Sequence, residues 1–154
     1  MTTVDIPRAL HVGRDDLPMV DAGGGVELQL LQVDVELGLW VVRNRFAPGV
    51  RVPRHKHTGV VHAVTATGAW RYLEYPEVNR AGSYLFEPAG SIHTLVVPED
   101  NTEVTEVVFA IYGANLNLDE DDNVESVFDA GSIRDAYFAL CEAYGHARPN
   151  VIGA

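Results

Sequence analysis

Two histidines one residue apart, His55 and His57, are followed by His62 and, much later, by His93. Side chains two residues apart on a β-strand lie on one face, so His55 and His57 point together while Lys56 points away. Imidazole is the commonest metal ligand in proteins. A pair on one strand supplies two adjacent coordination positions, and a third from a distant strand can close the site. The spacing therefore constrains the fold. The segments holding 55–57 and 93 must be brought side by side, with their rings facing an enclosed interior. Four of the six histidines belong to this pattern, and His11 and His146 fall outside it.

The remainder of the chain reads as β-structure. Short β-branched and aromatic runs separated by turn residues begin at Val26, the signature of an all-β sandwich or barrel. The expected strands are Val26 to Val33, Leu39 to Phe46, Val60 to Thr67, Ala69 to Tyr75, Ser83 to Glu87, His93 to Val97 and Val104 to Tyr112. Ala47-Pro48-Gly49 and Pro88-Ala89-Gly90 mark turns, and Thr58-Gly59 is expected to turn the chain so that His62 returns towards His55 and His57. From Ser132 to Tyr144 the period changes: Ile133, Ala136, Tyr137, Leu140, Cys141 and Tyr144 recur at helical spacing. Ser132 is expected to cap that helix, with Gly145 and Pro149 ending it. Residues 1–25, which finish in Gly23-Gly24-Gly25, read as an N-terminal arm. Residues 26–154 read as one domain that includes the helix at 132–144.

Composition narrows the partners. A chain of 154 residues suits one domain with a real core. Eleven basic against twenty-two acidic residues give a net charge of −11, which repels phosphate backbones and anionic membranes. Neither nucleic acid nor a membrane is an expected partner. The acidic run Asp119-Glu120-Asp121-Asp122 lacks the spacing of a calcium loop and reads as a solvated turn. There is no apolar run of eighteen residues and no signal-like start after Met1. One cysteine, Cys141, precludes an internal disulfide. A cytoplasmic location is expected, and Cys141 is expected to be a core residue.

These motifs resemble those of the cupin superfamily. Gly49, five residues, His55-Lys56-His57, then His62 and Gly68 follow the first cupin motif, with histidine at the usual glutamate position. Gly82 through Pro88, Gly90 and His93 follows the second, with Val97 where the family has asparagine. The resemblance implies an all-β cupin fold, a double-stranded β-helix or jelly-roll barrel, with a C-terminal α-helix. More narrowly, Arg45 to Gly49, His55 to Gly59, Tyr75-Pro76-Glu77 and Ala81 to Tyr84 are similar to 2,4'-dihydroxyacetophenone dioxygenases and, more distantly, to dioxygenases that cleave acetylacetone and other β-diketones. That likeness implies a non-haem iron enzyme splitting a C–C bond beside a carbonyl. It implies His55, His57 and His93 as metal ligands, with His62 as a fourth ligand or near neighbour.

Glu87, six residues before His93, matches a glutamate of those enzymes and is the candidate catalytic base; an exposed strand-end carboxylate is the alternative. Tyr72, Glu74 and Arg80 are weaker site candidates, and Trp40 and Trp70 read as core or pocket-wall residues. A set of neutral imidazoles leaves a divalent ion its full charge and favours an anionic oxygen chelator. Ferrous iron comes first, with zinc, manganese, nickel or copper as alternatives. The expected partners are a small-molecule ketone, dioxygen and further copies of the chain, as a homodimer or homotetramer assembled through an edge strand or the arm. Two other readings stand beside this one: a non-catalytic, sensor-like metal-binding cupin, as in some anti-sigma factors, and a cupin lyase or isomerase.

Overall fold

A computed structural model describes residues 5–154; the first four residues of the expected arm lie outside the described part. Twelve strands and one helix follow in chain order: β1 (Val20–Asp21), β2 (Val26–Asp34), β3 (Leu39–Phe46), β4 (Arg51–His57), β5 (Val61–Thr67), β6 (Ala69–Tyr72), β7 (Asn79–Arg80), β8 (Tyr84–Glu87), β9 (Ile92–Val96), β10 (Thr105–Tyr112), β11 (Asn115–Leu118), β12 (Val124–Phe128) and α1 (Ala130–Ala143). They form two six-stranded antiparallel sheets, ordered β1-β2-β3-β10-β5-β8 and β12-β11-β4-β9-β6-β7. The crossovers between β3 and β10 and between β4 and β9 make this a jelly roll, the all-β cupin architecture the sequence leads one to expect.

Alternating apolar residues build much of the core. Leu28, Leu30, Trp40, Val42, Phe46, Val107, Phe109 and Ile111 are buried from the first sheet, and Trp70, Tyr72 and Leu95 from the second. Trp70 joins the layers. Its ring lies 5.8 Å from that of Phe109, and its indole N–H donates to Thr65 Oγ1 at 2.9 Å, which satisfies the one polar atom that burial would strand. The glycine closing the first motif has a steric reason. Gly68 has φ +76°, and a Cβ there would stand 2.2 Å from Thr105 Oγ1, so only glycine lets β5 turn into β6.

Several boundaries differ from expectation for identifiable reasons. The strand Arg51–His57 contains Pro53 and five basic or imidazole side chains, so it shows no apolar run; β11 and β12 are likewise too polar to stand out. The strand from Ala69 ends at Tyr72, where Tyr75 N–H bonds back to the Tyr72 carbonyl at 3.1 Å. The helix begins at Ala130 and its cap is Asp129, whose side chain accepts from Ser132 N–H while Ser132 Oγ accepts from Asp129 N–H. Ser132 is thus the third helical residue of a capping box rather than the cap itself. The acidic run lies in the exposed β11–β12 turn, where Asp119 accepts from the backbone of Asp121 and Asn123. Cys141 is buried in the core beside Tyr137.

The N-terminal segment is clamped onto the first sheet by charge. Glu106, only 3% exposed, accepts from Arg45 Nε at 3.0 Å and from both terminal nitrogens of Arg14 at 2.7 and 2.8 Å. Buried Gln29 donates to the Arg14 and Leu17 carbonyls at 3.0 and 2.7 Å, and Tyr137 of α1 donates to the Pro18 carbonyl at 2.5 Å. Burial alone would raise the Glu106 pKa, but the two guanidinium groups outweigh it and hold the carboxyl below its ordinary value. A lowered folded-state pKa stabilises the protein above about pH 4.3, and that contribution is lost as pH falls through the lowered value. Glu106→Gln is therefore expected to cost about 1–2 kcal/mol at pH 7, allowing for the half-exposed Arg14. Urea titrations should show the variant losing less further stability than the wild type between about pH 5 and 3.

Candidate metal centre

The antiparallel register of β4 with β9 sets His55 directly opposite His93. His57 lies two residues on from His55 and projects from the same face. All three are buried, with side-chain donor atoms within 4.8 Å of one another. Their ring centroids are 4.8 to 5.4 Å apart. His55 Nδ1 lies 2.8 Å from the Pro53 carbonyl; that bond places the proton on Nδ1 and leaves Nε2 as the free donor atom.

Glu87 joins the three rings. It is 3% exposed, with Oε2 3.4 Å from His57 Nε2 and Oε1 3.5 Å from His93 Nε2. Tyr72 donates its hydroxyl to Glu87 Oε1 and stacks on His93 with centroids 3.8 Å apart. One tyrosine thus packs a histidine and holds the carboxylate. Burial drives His57 and His93 down to about 3 each, and the neighbouring imidazoles add to the shift. Burial also lowers His55, against the pull of the Pro53 carbonyl. Burial pushes Glu87 up to about 7, with the Tyr72 bond opposing, and raises Tyr72 well above 10 with help from Glu87. The rings are therefore neutral near pH 7, the state in which imidazole binds a metal.

The structure does not bring His62 to this cluster. Val61, the first residue of β5, is fully buried, so His62 faces out of the barrel. There its Nδ1 lies 2.6 Å from the Tyr84 hydroxyl, and its ring is 5.5 Å from that of Phe86. The expected fourth imidazole is corrected by parity: the turn after His57 puts residue 61, not 62, on the inner face. The cross-strand partner of Val61 is Glu87, so a carboxylate reaches the cluster from β8 in place of a ring from β5. The charge follows. Three imidazoles and one acid surround the centre instead of four imidazoles.

Other candidates divide. Tyr72 belongs to the site. Glu74 accepts from Thr94 N–H at 2.9 Å, one residue beyond His93, and braces that strand. Arg80 is exposed on β7 and joins none of these groups. Trp40 is a core residue whose N–H donates to the Gly113 carbonyl at 3.0 Å. Asn115 and Asn117 went unnoticed in the sequence. The register sets them opposite His57 and His55, hence on the same face, and Asn115 Oδ1 is buried without a partner. The alternation Asn115-Leu116-Asn117-Leu118 is the signal the sequence offers, and it is a weak one because an asparagine seldom marks an inward position.

The donor set fits a divalent transition metal. His57 Nδ1, His93 Nε2 and Glu87 Oε2 are all buried without a hydrogen-bond partner, an expensive arrangement for polar atoms in a core. Coordination of a cation relieves that cost. Nitrogen donors with one carboxylate suit iron, zinc, manganese, nickel or copper better than magnesium or calcium. Beside the cluster a cavity of about 240 Å³ is lined by Tyr72, Tyr75, Leu85, Phe86, Glu87 and His93. The centre is therefore reachable from one side, as a catalytic rather than a closed structural site requires.

A family model of the ChrR cupin-like domain matches residues 8–114, which include every group of this centre except Asn115 and Asn117. The chain belongs to the ChrR cupin-like family. Two solved cupins from Ralstonia eutropha JMP134 are similar along the whole chain. One, a cupin-like protein of unknown function, is 36% identical over 100% of this chain and 96% of its own, with a TM-score of 0.89. The other, an RmlC-like cupin, is 27% identical over 96% of each chain, with a TM-score of 0.86. An acetylacetone dioxygenase from Acinetobacter johnsonii is 16% identical over 91% of this chain and 97% of its own, with a TM-score of 0.75; that likeness is one of fold. No curated protein matches the chain. Among the described residues of this cupin, no helix is long and apolar enough to cross a membrane.

The placement of the four histidines yields a direct expectation. His57→Ala or His93→Ala should lower the metal retained through gel filtration by at least about tenfold, whereas His62→Ala should keep the wild-type stoichiometry. Elemental analysis of the three variants, loaded with ferrous iron or zinc, decides it. Loss of metal in the His62 variant would contradict the assignment.

Proposed function

We propose that this cupin is a non-haem, ferrous-iron dioxygenase that cleaves a C–C bond next to a carbonyl in a hydroxyacetophenone or β-diketone. The observation carrying this reading is the buried group of His55, His57, His93 and Glu87 beside a cavity with tyrosine and leucine in its wall. The fold likeness to an acetylacetone dioxygenase supports it. Ferrous iron, when bound, supplies Lewis acidity towards two ketone oxygens and the redox capacity that dioxygen chemistry needs. His55, His57 and His93 would hold it.

The chain's own residues set the remaining chemistry. Glu87 is the base: Oε1 is occupied by Tyr72 and Oε2 is free, so Oε2 receives the proton lost when the ketone becomes an enolate or alkoxide. A carboxyl brought to about 7 by burial is matched to that transfer near neutral pH. Tyr72 fixes the carboxylate's orientation and packs His93. Leu85 offers apolar surface to the substrate's hydrocarbon part and limits water beside it. The reaction consumes one dioxygen for each bond cleaved, and the enzyme works in the cytoplasm as a homodimer or homotetramer.

A metal-sensing role is the second reading, favoured by membership of a family named for ChrR, an anti-sigma factor. Turnover separates the two. Iron-loaded protein is expected to take up one dioxygen per molecule of acetylacetone or 2,4'-dihydroxyacetophenone cleaved, followed with an oxygen electrode and product analysis. Glu87→Gln should retain iron yet lower kcat by about 10²–10⁴-fold. Stoichiometric iron without oxygen uptake on a panel of diketones and hydroxyketones would remove the dioxygenase reading and leave the sensor or a lyase.

A further inference from the structure

The outer face of the first sheet is covered over only part of its width. At the β1–β3 end lie the chain's own Arg14 to Leu17 and helix α1. Beyond β10, among the described residues, β5 and β8 carry no covering segment on this face, and β8 is the sheet's outer strand. The register arranges the outward side chains here in two rows. One runs Arg43, Val108, Val64, Tyr84, and the other Val41, Ala110, His62, Phe86. Tyr84 is 61% exposed, Phe86 51% and Val64 50%. Neither row contains a carboxylate, and the single arginine donates to Gln29 Oε1. In a chain of net charge −11, this is a strip where two copies can approach without bringing carboxylates together.

We propose that this strip is the contact by which a second copy of the chain docks, face to face about a two-fold axis. The proposal extends the homo-oligomer reading above to a particular surface, and it stands whether or not the reaction does. A two-fold contact uses one patch on both partners, and two twisted sheets pack on their apolar faces about 10 Å apart. Tyr84, Phe86 and Val64 together leave on the order of 300 Å² open, already the size of the largest apolar patch on many monomers. Two such strips cover roughly twice that. The N-terminal arms supply more. Each is anchored by Arg14 to Glu106 on β10, at the border of the strip, and each bears Ile6 and Leu10, 74% and 70% exposed. Strips and arms together approach the ~1,200 Å² at which specific interfaces begin.

Sedimentation velocity on the intact chain tests this. The wild type is expected to be dimeric, or a tetramer built from such dimers, at about 10–100 μM. Val64→Glu with Tyr84→Glu should weaken this pairing by at least about 100-fold while retaining the metal stoichiometry of the wild type, which shows that the variant is folded. Val124→Glu, an equally exposed position on β12 of the other sheet, should leave the pairing unchanged. A monomeric wild type would overturn the proposal, as would a double variant that pairs as before or a Val124 variant that dissociates equally. Oxygen uptake is measured separately, so its absence would strike only the catalytic reading.

Discussion

The pairing of β4 with β9 is the constraint from which the centre follows. Neighbouring strands in a sheet lie less than 5 Å apart, and antiparallel register decides which residues face each other. Setting His55 opposite His93 brings two rings together from positions 38 residues apart in the chain. The alternation of one strand then adds His57. A shift of one residue in this pairing would move every ligand of one strand to the outer surface. The jelly-roll crossovers, the buried Trp70 and the glycine at 68 all serve to hold that register.

Much of this was legible in the chain because it depends on local spacing. Period two through 55–57, the glycine and proline turns, and the helical recurrence near the C-terminus each carry their own signal. The family match over residues 8–114 spans the histidine pair and the turns and stops short of the helix. What could not be read was anything set by parity across a turn. Whether residue 61 or 62 enters the interior depends on how Thr58 to Val60 spend their three residues, and no composition rule decides it. The outward turn of His62 and the inward reach of Glu87 have one cause, since Val61 and Glu87 are opposite each other in the sheet.

A second limit is polarity. Strands beside a metal-binding interior carry inward histidine, asparagine and glutamate where hydropathy looks for valine. The start of Arg51–His57 and the whole of Asn115–Leu118 were obscure for that reason, and Asn115 with them. At a functional centre, agreement between local pattern and global fold is expected to break. The buried atoms without partners mark where it does.

Pro53 gives the centre a property that follows from its backbone. The β4–β9 register shifts between Val52 and His55, and proline, having no N–H, suits such an interruption. Its carbonyl is thereby free to meet the His55 ring at 2.8 Å. The orientation of one donor is consequently written in main-chain atoms that side-chain replacement cannot delete. Evolution can exchange the pocket wall around this ring, and with it the guest, while the ring itself stays aimed.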